Sequence, residues 1–207
     1  DIINNYHSDG NFKSLKRYGS NNNLTDNFSY QYFSGTNRLR KLSGNKLDDY
    51  TYDNNGNVTF DNINKNSSIK YDFRNLMIEN TNTLSLSTFK TYYRYDEAGN
   101  RISKKQYLYV NGTPPDEEDL PPGHSADSII TDDGDGNGYW VLTVNNYYIR
   151  DISGNEMAIY QGNAIDQWNI WSSDNVGKID ANNKRYYYIK DHLGSIRAVI
   201  DTTNTVI

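Results

Sequence analysis

The stretch that decides the fold is Tyr50-Thr-Tyr-Asp53-Asn-Asn-Gly56-Asn-Val58, because versions of it recur along the chain. The tyrosines three and one positions before the aspartate fall on one face of a strand, since side chains alternate with period two. Asp53 and Gly56 then take the first and fourth positions of a four-residue reversal, where a type I turn prefers these residue types. A glycine at that point reaches positive φ and returns the chain antiparallel. Each such stretch therefore predicts one β-hairpin.

Six other stretches follow the same plan, and they begin at Tyr30, Ile69, Tyr93, Tyr148, Trp171 and Tyr188. Phe33 replaces the aspartate in the first of these, and Asn75 replaces the glycine in the second, which is possible because asparagine tolerates the left-handed region. The predicted turn residues are Asp53 with Gly56, Asp72 with Asn75, Asp96 with Gly99, Asp151 with Gly154, Asp174 with Gly177, and Asp191 with Gly194.

A single hairpin is marginally stable in water, so neighbouring hairpins must pack side by side. We therefore expect an all-β fold of consecutive antiparallel hairpins in an elongated, twisted and curved sheet. Packing of this kind predicts a row of aromatic side chains, formed by Tyr30, Tyr50, Tyr93, Tyr148, Trp171 and Tyr188. Hairpins are predicted for residues 28–112 and 139–207, while residues 1–27 form either a degenerate repeat or a lead-in. Residues 113–138 form an acidic, Pro- and Gly-rich insertion loop.

The composition of the 207 residues agrees with many strands and tight turns. The chain contains 30 Asn and 19 Tyr, has a formal charge of −5 and has no cysteine. The aromatic content argues against disorder, and asparagine favours turns. An acidic chain does not fit a general nucleic-acid binder. No apolar run approaches 18 residues, so no membrane-spanning helix is expected, and the lack of cysteine excludes disulfides and thiol catalysis.

The last repeat, Asp191-His192-Leu-Gly194-Ser-Ile-Arg197, resembles the Asp-His-Leu-Gly-Ser-x-Arg signature of the Rhs family of bacterial surface and toxin-associated proteins. The other repeats resemble the YD repeats of the same family. The resemblance implies an arc of a β-shell that belongs to a secreted or cell-surface protein and encloses or displays a C-terminal effector, as in polymorphic toxins. Its implied partners are the rest of the shell polypeptide and that effector. It implies a structural role for this chain, with no cofactor and no catalysis.

The insertion ends in a sequence that has two interpretations. Asp133, Asp135 and Asn137, followed by Gly138, match the start of a calcium-binding loop. The twelfth position of that loop is Val144, so the bidentate glutamate is missing. The preferred interpretation is a turn ahead of a strand at residues 139–144, with calcium as the alternative.

Binding of a ligand is the alternative to a purely structural function. An exposed face of Tyr and Trp side chains could stack on sugar rings of surface glycans, and Trp140, Trp168 and Trp171 are the first candidates. The preferred interpretation is that these three tryptophans fill the packed face of the sheet.

Catalysis is not expected. The three histidines lie far apart in sequence, and no nucleophile elbow or phosphate-binding loop is present. The carboxylate pair Asp48 and Asp49 would suit a glycosidase, but adjacent acidic residues in a loop are expected to be solvated. His192 is expected to bond a neighbouring turn, and Arg197 could pair with Asp201 across the strands of the last hairpin.

Overall fold

The computed structural model describes residues 2–42, 48–116, 118, 128–131, 137–203 and 205–207, with the backbone alone for residues 2–5. Within these described ranges, seventeen strands and one short 3₁₀ helix make up the regular structure. The strands are β1 Ile2–Tyr6, β2 Phe12–Tyr18, β3 Leu24–Tyr32, β4 Leu39–Leu42, β5 Tyr50–Tyr52, β6 Val58–Asp61, β7 Asn66–Tyr71, β8 Met77–Leu84, β9 Ser87–Tyr95, β10 Arg101–Asn111, β11 Ile129–Thr131, β12 Gly138–Arg150, β13 Glu156–Gln161, β14 Ala164–Trp171, β15 Asn175–Asp180, β16 Arg185–Lys190 and β17 Ile196–Asp201, and the helix is Ser20–Asn22.

The first of two compact units covers Asp1–Phe89. In this unit β1 to β4 form a four-stranded sheet in sequence order, and β5 to β8 also follow one another in sequence order. All of the described pairings are antiparallel, as in Tyr50 with Asp61 and Tyr52 with Val58. The prediction of consecutive antiparallel hairpins is confirmed here.

The second unit covers Lys90–Ile207, where β10 and then β12 to β17 follow in sequence order. β12 is the longest strand, with 13 residues, and it pairs with β10 on one side and with β13 on the other. The short strand β11 pairs with β12 at Trp140 and its two neighbours. The region predicted as an insertion loop therefore contains a strand, because β11 pairs with the part of β12 that β13 does not reach.

Six of the seven repeats reverse the chain at the predicted residues. In each of them the fourth residue of the turn donates its N–H to the first, as Gly56 does to the Asp53 carbonyl (3.1 Å) and Gly194 to the Asp191 carbonyl (3.0 Å). Gly56, Gly99, Gly154 and Gly194 all have positive φ, and so has Asn75. These are the conformations that the sequence pattern predicts for the turns.

The repeat at Trp171 is the exception, and its predicted turn at Asp174 and Gly177 is wrong. Trp171 pairs with Asn175, so the chain reverses at residues 172–174. Gly177 lies inside β15, between Ile170 on β14 and Tyr187 on β16. Glycine is needed at this position, because a Cβ atom would collide with the Tyr186 carbonyl oxygen of the next strand. Gly177 therefore allows the backbones of β15 and β16 to lie close together.

The aromatic row is only partly realised. Within the second unit the register places Tyr148, Trp171 and Tyr188 on one face of the sheet. Their hairpins are two strands apart, which is roughly 10 Å, so their rings lie beyond direct contact. The ring contacts described in this unit join other neighbours, Tyr92 with Tyr107 (5.9 Å) and Tyr109 with Trp140 (5.1 Å).

Candidate functional site

The most regular feature is the reversal that begins with an aspartate, which we call the Asp turn. In the turn at Asp53, carboxylate Oδ1 accepts the Asn57 backbone N–H and Oδ2 accepts the Asn57 side-chain amide, both at 2.9 Å. The same two bonds join Asn100 to Asp96 at 2.8 and 3.0 Å. They also join Asn155 to Asp151, both at 2.9 Å. Both carboxylate oxygens therefore hold the residue that starts the returning strand.

In two other Asp turns an arginine side chain takes the place of the asparagine. Arg74 donates its Nε to Asp72 (2.9 Å), and Arg197 donates its Nε to Asp191 (2.8 Å). The proposed pairing of Arg197 with Asp201 is therefore wrong, because Arg197 reaches back to its own turn. Asp201 instead accepts the Thr203 and Thr205 N–H groups at 2.8 and 3.1 Å. His192 is exposed at the second position of the Asp191 turn.

The hydrogen bonds of the Asp turns favour the ionised carboxylates. The Asn57 side chain holds the pKa of Asp53 below its ordinary value. Asn100 lowers the pKa of Asp96 in the same way, and Asn155 lowers that of Asp151. Donors that bond a carboxylate stabilise its charged form. These aspartates are therefore negatively charged turn-forming groups near neutral pH, and none of them has the raised pKa that a general acid needs.

Neighbouring turns also bond to each other. In the first unit the Asn75 side-chain oxygen of one turn accepts the amides of Asn55 (3.1 Å) and Asn57 (2.8 Å) from the turn before it. In the second unit Arg150 donates its Nε to the Arg101 carbonyl oxygen (3.2 Å) and its Nη1 to the Gly154 carbonyl oxygen (2.8 Å). In each unit, therefore, side chains near one turn support a neighbouring hairpin.

Trp140 is a packed residue. Only 7 % of it is exposed. The Lys90 ammonium lies 4.3 Å from the centre of its ring, and the Tyr109 ring lies against it. A cation over an aromatic face stabilises this arrangement. A sugar could not reach this indole without displacing Lys90.

Trp168 and Trp171 lie on opposite faces of β14. Trp171 donates its indole N–H to the Glu156 carbonyl oxygen (2.9 Å) on the face that also carries Asn169 and Gln167. Trp168 pairs across the sheet with Ala158 on one side and Ile179 on the other, and 45 % of it is exposed. The structure therefore does not bring the three tryptophans together, and of the three Trp168 presents the large exposed surface.

The candidate calcium ligands Asp133 and Asp135 lie outside the described residues, and Asn137 lies just before β12. In the described part of the chain, no cluster of three or more acidic, His or Cys side chains is arranged to hold a metal ion. His124 is also outside the described residues. No helix within the described ranges is long and apolar enough to cross a membrane.

The pair Asp48 and Asp49 differs from the expected solvated pair. Asp49 is fully buried, and its Oδ2 accepts the Leu42 N–H at 2.7 Å. Asp48 instead forms a partly exposed ion pair with Arg40 (2.7 Å). The two carboxylates have structural partners at the junction of β4 and β5.

A further Asp turn, and a similar turn that begins with His7, escaped the sequence pattern. The Asp180 turn joins β15 to β16, with Asn183 at positive φ in its fourth position and the Tyr186 hydroxyl on Asp180 (3.1 Å). The turn at His7 joins β1 to β2, with Gly10 at φ 86°. The signal for the second is the Gly-Asn pair at residues 10–11, which also occurs at Gly56 and Gly99.

A scan against protein-family models and a search of curated proteins returned no match for this chain. The resemblance to YD repeats therefore rests on the residues quoted above.

Proposed function

We propose that this chain is an architectural segment of a secreted or cell-surface YD-repeat shell, and that the shell encloses or displays an effector polypeptide. The observation that carries the proposal is the bonding between successive Asp turns, as in Asn57 to Asn75 and Arg150 to Arg101. Contacts that join each repeat to the next are what a wall of repeated units needs, since each unit is stabilised by its neighbours.

The chemistry of the described residues supports the same proposal. The aspartates that recur along the chain are bonded by backbone N–H groups and by asparagine, arginine or tyrosine side chains. Their lowered pKa values suit turn formation, whereas a catalytic pair needs ionisable groups that converge in a pocket. The proposal therefore assigns no catalytic residue to this chain.

The test is a protease-protection experiment on the polypeptide as its gene encodes it, including whatever follows Ile207. We expect a downstream segment to resist trypsin while the wall is intact and to become cleavable in an Asp96→Ala, Asp151→Ala variant. Those substitutions remove the carboxylates that hold two neighbouring turns. Equal cleavage of the downstream segment in both proteins, or a stop codon directly after Ile207, would overturn the proposal.

A second candidate function, carbohydrate binding, is favoured by one observation, the exposed indole of Trp168. An aromatic face of this kind can stack on a sugar ring. Glycan-array binding that is lost in Trp168→Ala but kept in Trp140→Phe would support this function. An array without any bound glycan would argue against it.

A further inference from the structure

Arg101, the first residue of β10, is a cation that the shell proposal does not use. It follows the Asp96 turn, where Asn100 bonds both carboxylate oxygens of Asp96 at 2.8 and 3.0 Å. In the Asp191 turn an arginine, Arg197, holds the carboxylate instead. Five arginines in the described ranges form ion pairs with Asp or Glu, and Arg101 is not one of them. Its positive charge is therefore not balanced by a carboxylate contact.

Tyrosine side chains hold the Arg101 guanidinium in place. Its central carbon lies 4.5 Å from the centre of the Tyr93 ring, a contact in which the ring face attracts the cation. The guanidinium also forms side-chain hydrogen bonds with Tyr95 and Tyr148. The Arg101 carbonyl oxygen accepts the Arg150 Nε at 3.2 Å, so the backbone is anchored as well. The direction of this planar group is therefore fixed by its neighbours.

The groups around Arg101 present hydrogen-bond donors. A guanidinium has five N–H donors and no acceptor, so the Tyr148 oxygen accepts in the bond between them. The Tyr148 O–H is then left to donate, and within the described ranges no other residue accepts it. Arg101 is exposed, so the N–H groups that its tyrosine bonds do not use are open to a ligand. A fixed positive charge with several donors and no acceptor favours an anion.

We propose that Arg101 and Tyr148 form a binding site for a phosphate or sulfate monoester. Such a group offers three terminal acceptor oxygens in different directions, whereas a carboxylate offers two in one plane. The unused N–H groups of the Arg101 fork bond two of these oxygens, and the Tyr148 O–H bonds the third. Arginine suits this task because its planar fork matches two oxygens of one anion. The proposal does not depend on the shell or on an enclosed effector.

The test is an NMR titration of the 207-residue protein at constant ionic strength, which follows the backbone amide resonances of residues 101 and 148. The probes are glucose 6-phosphate and glucose 6-sulfate, with glucose and sodium acetate as controls. We expect saturable shifts with at least one ester, and the ester that binds more tightly identifies the ligand. The proposal is overturned if neither ester gives a saturable shift, or if glucose or acetate binds as tightly as the esters do.

Three variants separate this site from general charge attraction. Affinity for the ester should fall about tenfold or more in Arg101→Gln, which removes charged hydrogen bonds, and about two- to tenfold in Tyr148→Phe, which removes only the O–H. The matched control is Arg185→Gln, which removes the same charge from an exposed residue of β16 and should bind as the parent does.

Urea unfolding checks that each variant is folded, and Tyr148→Phe keeps the test decisive if Arg101→Gln is not. Equal losses of affinity in Arg101→Gln and Arg185→Gln would overturn the site, because they would identify attraction by net charge alone. Full affinity in a folded Tyr148→Phe variant would also overturn it.

Discussion

At the scale of single residues, the Asp turn explains why one short motif can build the chain. The aspartate accepts both backbone and side-chain donors of the residue four positions later, as Asp96 does from Asn100. Because a backbone donor and a side-chain donor bond the same carboxylate, they fix both the turn and the direction of the returning strand. The asparagine that follows the glycine is therefore as much a part of the motif as the aspartate.

Replacing that asparagine should change the acidity of the aspartate. We expect Asn100→Ala to raise the pKa of Asp96 towards its ordinary value of 3.8, because the side-chain bond that favours the charged form is lost. Carbon-detected NMR titration of the Asp96 carboxylate measures this change. The matched control is Asn111→Ala, which alters an exposed asparagine at the end of β10 and should leave Asp96 unaffected. An unchanged pKa of Asp96 in Asn100→Ala would contradict the account of the turn.

Gly177 gives the second prediction at this scale. We expect Gly177→Ala to lower the free energy of unfolding by about 1–3 kcal/mol, the usual cost of overpacking. The added Cβ meets the Tyr186 carbonyl oxygen, which is part of the neighbouring strand and cannot move aside as a flexible side chain would. Urea unfolding measures the change.

The control for this substitution is Gly162→Asn. Gly162 has positive φ and open space around it, so asparagine should be tolerated there. A Gly177→Ala variant as stable as the parent would show that β15 and β16 can separate without cost.

At the scale of elements, the hairpins were predictable because their turns are local. Asp53 and Gly56 lie three residues apart and bond each other, so sequence spacing alone locates that reversal. The turn at residues 172–174 was not predictable, because Gly177 is fixed by a strand that arrives ten residues later, at Tyr187. The sequence predicts the same packed position for Trp140 and Trp168, yet Trp140 is buried and Trp168 is half exposed. The difference arises because Lys90 and Tyr109, which are far from Trp140 in sequence, pack against its ring.

The junction between β4 and β5 gives a prediction for these elements. We expect Asp49→Ala to lower the free energy of unfolding by about 1–3 kcal/mol, because the half-buried Leu42 N–H would lose its acceptor and the buried Asp49 side chain would be lost. Asp48→Ala should cost about 0.2–1 kcal/mol at most, since its ion pair with Arg40 is partly exposed. Chemical denaturation of the two variants compares neighbouring carboxylates directly. Equal losses would mean that burial of Asp49 contributes nothing to the junction.

At the scale of the whole molecule, the small number of buried apolar residues in the described ranges separates this chain from a protein with one central core. In those ranges the buried hydrophobic residues are Ile69, Tyr107, Trp140 and Ala158. About half of the residues with described side chains are half-buried, and most of the others are exposed. Stability in such a chain is distributed over pairs of adjacent strands and over their turns, as in other repeat proteins. Conditions that weaken every turn at once should therefore act on the whole molecule.

Acid is such a condition, and the sign of its effect follows from the turn carboxylates. Hydrogen bonds lower the pKa values of Asp53, Asp96, Asp151, Asp174 and Asp201 in the folded chain. The unfolded chain then binds protons at a higher pH than the folded one, so the contribution to stability is complete above the ordinary value of 3.8 and is lost as pH falls through the lower folded values. We expect the urea midpoint to stay level from pH 7 to about pH 5 and to fall steeply below about pH 4. An Asp96→Asn, Asp151→Asn variant should show a shallower fall, because two of the titrating carboxylates are gone. A midpoint that is constant from pH 5 to pH 3 would mean that the charged turns do not hold the fold together.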